Sequence, residues 1–546
     1  MFGVGLLASV VALFLIGYTT YARYLSNQFR IDNHNQPPSQ TLYDGVDYVP
    51  AKSPVLLGHH FASIAGAGPI VGPVIAAAFG WVPVILWIVL GSLFIGGVHD
   101  FSAIVASIRH KGKSIASVGE KYLGLSGKRL FLLFSWSSLI LVIAVFTNIV
   151  ADTFTKAPAA ATSSITFLIL AVLFGLAIYR FKVPLWLATL LGVVLLFGGV
   201  GLGQVWPIQA SKFTWQVLLL CYVFIASITP VWILLQPRDY LNSFLLYALV
   251  IGGLVGVVCY QPSIHLSAFT TFQVPNLGTL FPILFVTIAC GAISGFHSLV
   301  ASGTTSKQIE KESDARLIGY GGMLIEGVLA ALAIVAVASL QTEQFHELYR
   351  DKQFVRAFAL GLSNFISAIP FLHISPASAL NFATLAVSAF ALTSLDTATR
   401  IARYNFQELC EKADCPAERQ PALASNRYLA TLVTVGCGAL LTFSGKSDAI
   451  WPVFGSANQL LAALALLTVT LWLSSEAINY LFTLIPALFM LLMTLCALGT
   501  LAFNNFIDAN YLLAIIAVML FLLALWLSFM TFKVLRQLSR QSLASN

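Results

Sequence analysis

Charge is what this sequence has least of. Its 546 residues hold 29 Lys and Arg and 22 Asp and Glu, so 9% of the chain is charged while 58% is hydrophobic. Soluble domains run near about 25% charged; a chain this poor in charge cannot cover a water-facing surface. A soluble globule is excluded, and so is a disordered chain, which needs low hydrophobicity. Cysteine is also sparse. Cys221, Cys259, Cys290, Cys437 and Cys496 fall in apolar runs, and Cys410 and Cys415 share a loop without a nearby His. That scatter predicts unpaired thiols, neither a disulfide framework nor a zinc knuckle. Enzyme signatures are missing too: there is no P-loop, HExxH, GxSxG elbow or dinucleotide fingerprint, so neither an ATP-driven pump nor an enzyme is expected. No basic stretch is interleaved with aromatics, and no nucleic-acid partner is expected.

What the chain has instead is length without charge. Mean hydropathy is +0.87, and apolar runs of the length that spans a hydrocarbon core of about 30 Å recur throughout. The expectation is an all-α polytopic membrane protein with about fifteen spans. These are 2–22, 57–80, 82–108, 130–152, 163–179, 184–204, 213–236, 240–259, 279–303, 317–340, 377–398, 428–444, 450–473, 479–503 and 510–532. The whole of 1–546 reads as one transmembrane transporter domain whose partner is the lipid bilayer. The first run is read as a retained helix rather than a signal peptide, because Tyr21, Arg23 and Tyr24 follow it where a cleavage site would need small residues. The stretch 114–124 reads as an interfacial helix. With the N-terminus outside, 23 of the 29 basic residues fall in inner segments and six (Lys156, Lys212, Arg350, Lys352, Arg356 and Lys446) in outer ones. That asymmetry predicts a periplasmic N-terminus and a cytoplasmic C-terminus in a bacterial inner membrane. It makes 341–376 an outer loop and 399–427 a cytoplasmic one.

Two spans are too rich in glycine and proline to be plain helices: GHHFASIAGAGPIVGP at 58–73 and GAISGFHSLVASGTT at 291–305. Irregular backbone at membrane depth survives only where protein or a cavity surrounds it. Broken helices over 57–80 and 281–303 are therefore expected in the interior. Gly58, His60 and Gly66 share the pattern G-x-H-x5-G with Gly295, His297 and Gly303. The two spans would run in opposite directions, as an inverted repeat requires, and matched broken helices point to a transporter's binding site. Seven spans separate them where a five-plus-five scheme gives five, so two helices would be insertions.

Ionisable residues inside spans are costly and become functional candidates. They are His59, His60, His99, Asp100, His297, Glu326 and Asp396. Plain alternatives stand beside them: Asp396 pairing with Arg400 one turn on, Asp100 pairing with Arg109, a protonated Glu326, and neutral hydrogen-bonded histidines. His60, Gly66, Ala67, Gly68, His297, Gly303, Thr304 and Thr305 are the expected substrate-binding set. Asp100, Glu326, Asp396, His59 and His99 are the expected coupling set, for a proton or Na. His59, His60, His99, Asp100 and His297 also supply enough nitrogen and oxygen for a tetrahedral zinc. Free N–H groups at a half-helix start suit a carboxylate.

The segments LGHHFASIAGAGPIVGPVIAAAFGW (57–81), GGVHDF (96–101), TPVWILLQPRDYLNSF (229–244), TIACGAISGFHSLVASGTTSKQI (287–309), GYGGMLIEG (319–327), ALTSLDTATRIARY (391–404) and WPVFGSANQLLA (451–462) resemble the carbon starvation protein A (CstA) family. The resemblance runs from about Tyr43 to the last spans. It implies an inner-membrane secondary transporter, with peptide uptake during nutrient limitation in some members and pyruvate–proton symport in others. It also implies kinship with amino acid–polyamine–organocation (LeuT-like) transporters, whose inverted-repeat core has two broken helices. Longer members carry another helix before the span matching 2–22, and longer late loops. The expected function is ion-coupled uptake of small carboxylate-bearing nutrients, foremost peptides. The alternatives are a pyruvate–proton symporter and a nutrient sensor or channel without coupling.

Overall fold

In lipid, backbone polar groups find partners only in each other, and the apolar runs answer by forming helices. The computed structural model describes residues 3–545 except 46–47, 231–232, 276, 413–418 and 445–446. Phe2, Val231, Trp232, Cys415 and Lys446, named or spanned by the readings above, lie outside the described residues. Among the described residues, eleven helices are long and apolar enough to cross a membrane. Twelve are, if the bent pair Ser53–Ile64 and Gly68–Phe79 is one span. The chain is a multi-pass helical membrane protein. Of the other expected spans, Lys212–Ile228 and Arg427–Thr442 are apolar but shorter. The span 279–303 is divided into Leu280–Thr287, Ala289–Ala292 and Gly295–Gly303. The stretch 114–124 forms its own helical piece: Ser114 caps the Ser117 N–H, and Gly124, at φ +70°, separates it from the helix running on to Lys156.

Both long connections hold more helix than expected. The segment 341–376 contains Thr342–Arg350 and Phe354–Ser367. In the latter, Phe358, Leu362 and Phe365 are fully buried. Their i, i+4, i+7 spacing makes one apolar face, so this helix packs into the bundle and is no loop. The segment 399–427 is cut short because Pro376–Cys410 continues through its start. The boundary expected near 237–239 lies earlier: Lys212–Ile228 ends and Leu235–Tyr260 begins before Arg238. Arg238, Arg400 and Arg403, counted above as inner-loop charges, are therefore buried in the bundle.

The two broken helices lie against each other. The first is bent by 46° at 65–67, where Ala65 (ψ 73°) leaves the helix and Pro69 opens the next half. The second opens at Ile293 and Ser294, both extended. A Cβ at Gly68 would come 2.6 Å from Cys290 Sγ, and one at Gly72 would come 2.6 Å from the Thr287 carbonyl, so only glycine allows this crossing. The Ala51 N–H bonds the Gln308 carbonyl (2.8 Å), and Ala51 pairs with Ile309. The start of one broken helix therefore sits beside the end of the other, and the two run in opposite directions. The sequence echo is displaced against this geometry: Gly66 lies in the first break, but Gly303 ends a helix roughly 13 Å beyond the second at 1.5 Å per residue.

Candidate functional site

Two buried charge clusters flank the crossing. The first joins both broken helices to their neighbours. His99 Nδ1–H donates to Asp100 Oδ1 (2.7 Å), and His297 Nδ1–H donates to Asp100 Oδ2 (2.8 Å). On its far edge His297 Nε2 lies 3.2 Å from Glu326 Oε2, close but without hydrogen-bond alignment. His60 Nδ1 meets the Thr305 hydroxyl at 2.8 Å, and the ring of His60 lies over Gly322, one turn before Glu326. His60, Asp100, His297 and Glu326 are all fully buried. A wide π turn precedes each acid, Ser92–Gly96 before Asp100 and Arg316–Gly321 before Glu326, a device frequent at functional sites. The Asp100 and Glu326 carboxylates and the His297 imidazole are thus in line, one acid on each ring nitrogen. Buried charge without a partner is costly, and here each acid lies against an imidazole.

Of the second cluster, only Asp396 and His59 were read from the sequence. Arg238 donates through Nε and Nη2 to Asp239 Oδ1 (3.2 and 2.7 Å) and through Nη1 to Tyr222 Oη (3.1 Å). It also pairs with Asp396 Oδ2, which accepts from Tyr222 Oη at 2.5 Å. His59 approaches Asp239 at 3.6 Å. This corrects the Asp396–Arg400 pair: Arg400 instead donates to the Ala226 and Thr229 carbonyls at 2.6 and 2.7 Å. It also corrects the Asp100–Arg109 pair, because Arg109 bonds Glu312. Charge scarcity flagged Asp100, Glu326 and Asp396 but not the buried Asp239, which together with Arg238 looked like a connection between spans.

The geometry separates the expected sets. His59 faces Asp239, away from His60, while His99 and His297 take opposite oxygens of Asp100. The zinc set therefore does not converge. Among the described residues no three His, Cys, Asp or Glu side chains are grouped to hold a metal ion. Gly66, Ala67 and Gly68 do lie at a break, next to Cys290 and Ser394. Of the Gly303–Thr305 set, Thr305 reaches His60 but the backbone is not at the second break. Asn458 is there instead. Its Oδ1 accepts from the Phe296 N–H (2.9 Å), and its Nδ2 donates to the Ser294 hydroxyl (3.0 Å). Asn458, Ser394 and Tyr222 are uncharged, so a search for buried charge passed over them.

Between the breaks is a gap of only about 10 Å³, walled by Gly66, Phe146, Cys290, Ser394, Phe454 and Asn458. That is room for at most one water. Beyond the Phe146–Phe454 ring pair (5.9 Å) opens a cavity of about 1050 Å³, lined by residues from nine segments including Asn148, Lys156, Arg356 and Trp451. Tyr349, on its wall outside the spans, has its phenol pushed up to about 12 by burial and stays a neutral donor, bonded to the Ile75 carbonyl at 3.3 Å.

Comparison with known proteins agrees. The family described as carbon starvation protein CstA matches residues 2–355 and 350–497. The Escherichia coli (strain K12) peptide transporter CstA is 31% identical, over 89% of this chain and 79% of that protein. The Bacillus subtilis (strain 168) peptide transporter CstA is 32% identical, over 89% and 88%. The Escherichia coli (strain K12) pyruvate/proton symporter BtsT is 31% identical, over 91% and 81%. In fold, the chain resembles the crystal structure of the Eremococcus coleocola manganese transporter in complex with an aromatic bis-isothiourea substituted compound. The TM-score is 0.53 at 13% identity, covering 91% of this chain and 99% of that one.

Proposed function

The chain belongs to the carbon starvation protein CstA family, and from that premise we propose that it is a proton-coupled transporter taking up small carboxylate-bearing nutrients, foremost peptides. The observation that carries this reading is the fully buried Asp100–His297–Glu326 chain beside the crossing of two broken helices. The substrate would sit where the gap now is, between Gly66–Gly68, Ser394 and Asn458, once Phe146 or Phe454 swings aside. The half-helix starting at Gly68 would meet its carboxylate. A proton would bind between His297 and Glu326 and travel with it. His60, touching Thr305 on the second helix, would report the state of one broken helix to the other.

The antiparallel broken helices support an inverted-repeat core with alternating access by rocking of one bundle against the other. The hairpin of Pro158–Tyr179 and Leu185–Val205, the latter mostly exposed, would supply the two inserted helices. Fifteen crossings follow if Lys212–Ile228, Arg427–Thr442 and the divided 280–303 all traverse the membrane. The cavity would then open to the outside of a bacterial inner membrane, with the N-terminus on that side. Pyruvate is the second reading, favoured by the similarity to the pyruvate/proton symporter and by the small gap. Uptake of labelled alanyl-alanine and labelled pyruvate into proteoliposomes tests both. Accumulation above the outside concentration, driven by an inward acid gradient, is expected. A solute that only equilibrates would mean a channel or sensor.

A further inference from the structure

We infer that the large cavity is an anion-receiving site, which binds the substrate's carboxylate before the helix breaks admit it. This rests on the reading of the chain as a carboxylate transporter. Three observations carry it. First, the walls are lopsided in charge: Lys156, Lys212, Arg350, Lys352 and Arg356 line the cavity against one acid, Asp152. That acid is already engaged by Lys212 at 2.9 Å. They are also five of the six basic residues that the sequence count assigns to the outer segments, in a protein with little charge to spare. A cleft of one sign with low-dielectric walls concentrates ions of the other.

Second, two buried donors on the lining have no partner among the described residues. Asn148 is 4% exposed; its Oδ1 accepts from Gln216 Nε2 at 2.7 Å, but its Nδ2 donates to nothing in the structure. Trp451 is 8% exposed and its Nε1–H is likewise unpartnered. Leaving a buried N–H unsatisfied is unfavourable, and both groups can only donate. An acceptor such as a carboxylate oxygen satisfies them, while an ammonium cannot. Third, their place in the fold is apt. Asn148 follows Phe146 by two residues on one helix, and Trp451 precedes Phe454 by three on another. Phe146 and Phe454 separate the cavity from the gap at the breaks, and Trp451 packs on Phe454 with ring centroids 5.5 Å apart. A carboxylate held there would touch the ring stack that has to open. The ligand class is a small monocarboxylate or a peptide C-terminus.

The test uses the full chain in proteoliposomes and in nanodiscs, with labelled pyruvate and labelled alanyl-alanine as probes. Asn148→Ala and Trp451→Phe each remove one donor; the second keeps the ring. Each is expected to raise the half-saturation concentration for uptake about three- to tenfold, the worth of one hydrogen bond, and more than it lowers the maximal rate. Lys156→Gln with Arg356→Gln is expected to slow uptake at low substrate and to remove most of its loss between low salt and about 0.5 M salt. Unchanged half-saturation in both donor variants, in protein that transports, overturns the site and leaves the proposed function standing. If wild type accumulates neither probe, the function fails, and equilibrium binding in nanodiscs decides the site: weaker binding in both variants supports it, equal or absent binding overturns it. Should one variant fold poorly, the other and the charge pair carry the test.

Discussion

At the scale of single residues, the molecule gathers most of its membrane-depth charges into two groups. Arg238 holds Asp239 and Asp396 together and is 2% exposed, which makes it a structural keystone. Arg238→Met would leave two buried carboxylates unpaired. Breaking a buried pair from one side costs about 3–5 kcal/mol, so a clear fall in the thermal midpoint is expected, followed by tryptophan fluorescence in detergent, and Asp396→Asn added to it should recover part of the loss. An unchanged midpoint would sink the keystone role. Asp100, His297 and Glu326 were legible because ionisable residues inside apolar runs are conspicuous, and all three lie in the motifs that resemble the family. Asp239 was not, because a Pro-Arg-Asp triplet between two apolar runs reads as a turn. Asn458, Asn148 and Trp451 were not either: nothing in an uncharged polar side chain announces that the fold will leave its donor facing a break or a cavity.

At the scale of elements, glycine and proline density located the first break correctly at 65–67. The span it marked at 291–305 holds a break too, but not at the glycine that echoes Gly66: Gly303 ends a helix, and the opening falls at Ile293–Ser294, beside Asn458. Tertiary contact decided what propensity could not. Gly295 matters for packing, since a Cβ there would collide with the Asn458 carbonyl and the Ala462 N–H. Gly295→Ala should lower stability by about 1–3 kcal/mol, the usual cost of overpacking, and reduce transport; normal stability with full uptake would contradict the close approach. The opposite end of the same helix is tied down by a clamp. Glu312, fully buried, accepts from Arg109, from the Asp32 N–H (2.9 Å) and from Asn35 Nδ2 (3.1 Å), while Ser39 reaches the Ile309 carbonyl. Glu312→Gln is predicted to loosen 30–52, read as faster proteolysis there in detergent-solubilised protein. Cleavage at the wild-type rate would argue against the clamp.

At the scale of the whole molecule, scarcity of charge revealed the class and most of the helices, because length and hydropathy need no tertiary information. It overstated the topological count of basic residues: Arg238, Arg400 and Arg403 are inside the bundle, and the first two serve partners there instead of marking a side. The remaining asymmetry still puts Lys156, Lys212, Arg350, Lys352 and Arg356 around one cavity, and no local pattern could have shown that segments so far apart in sequence share a wall. The cavity and the gap at the breaks share two helices, which line the one with Asn148 and Trp451 and the other with Phe146 and Phe454. The most direct measurement is uptake of labelled alanyl-alanine and pyruvate by proteoliposomes under an imposed inward acid gradient, wild type against Glu326→Gln. Wild type should accumulate at least one of them above the outside concentration and lose that accumulation when the gradient is collapsed, and Glu326→Gln should exchange solute without concentrating it. Accumulation that survives collapse of the gradient, or full gradient-driven accumulation by Glu326→Gln, would contradict proton coupling through the His297–Glu326 pair.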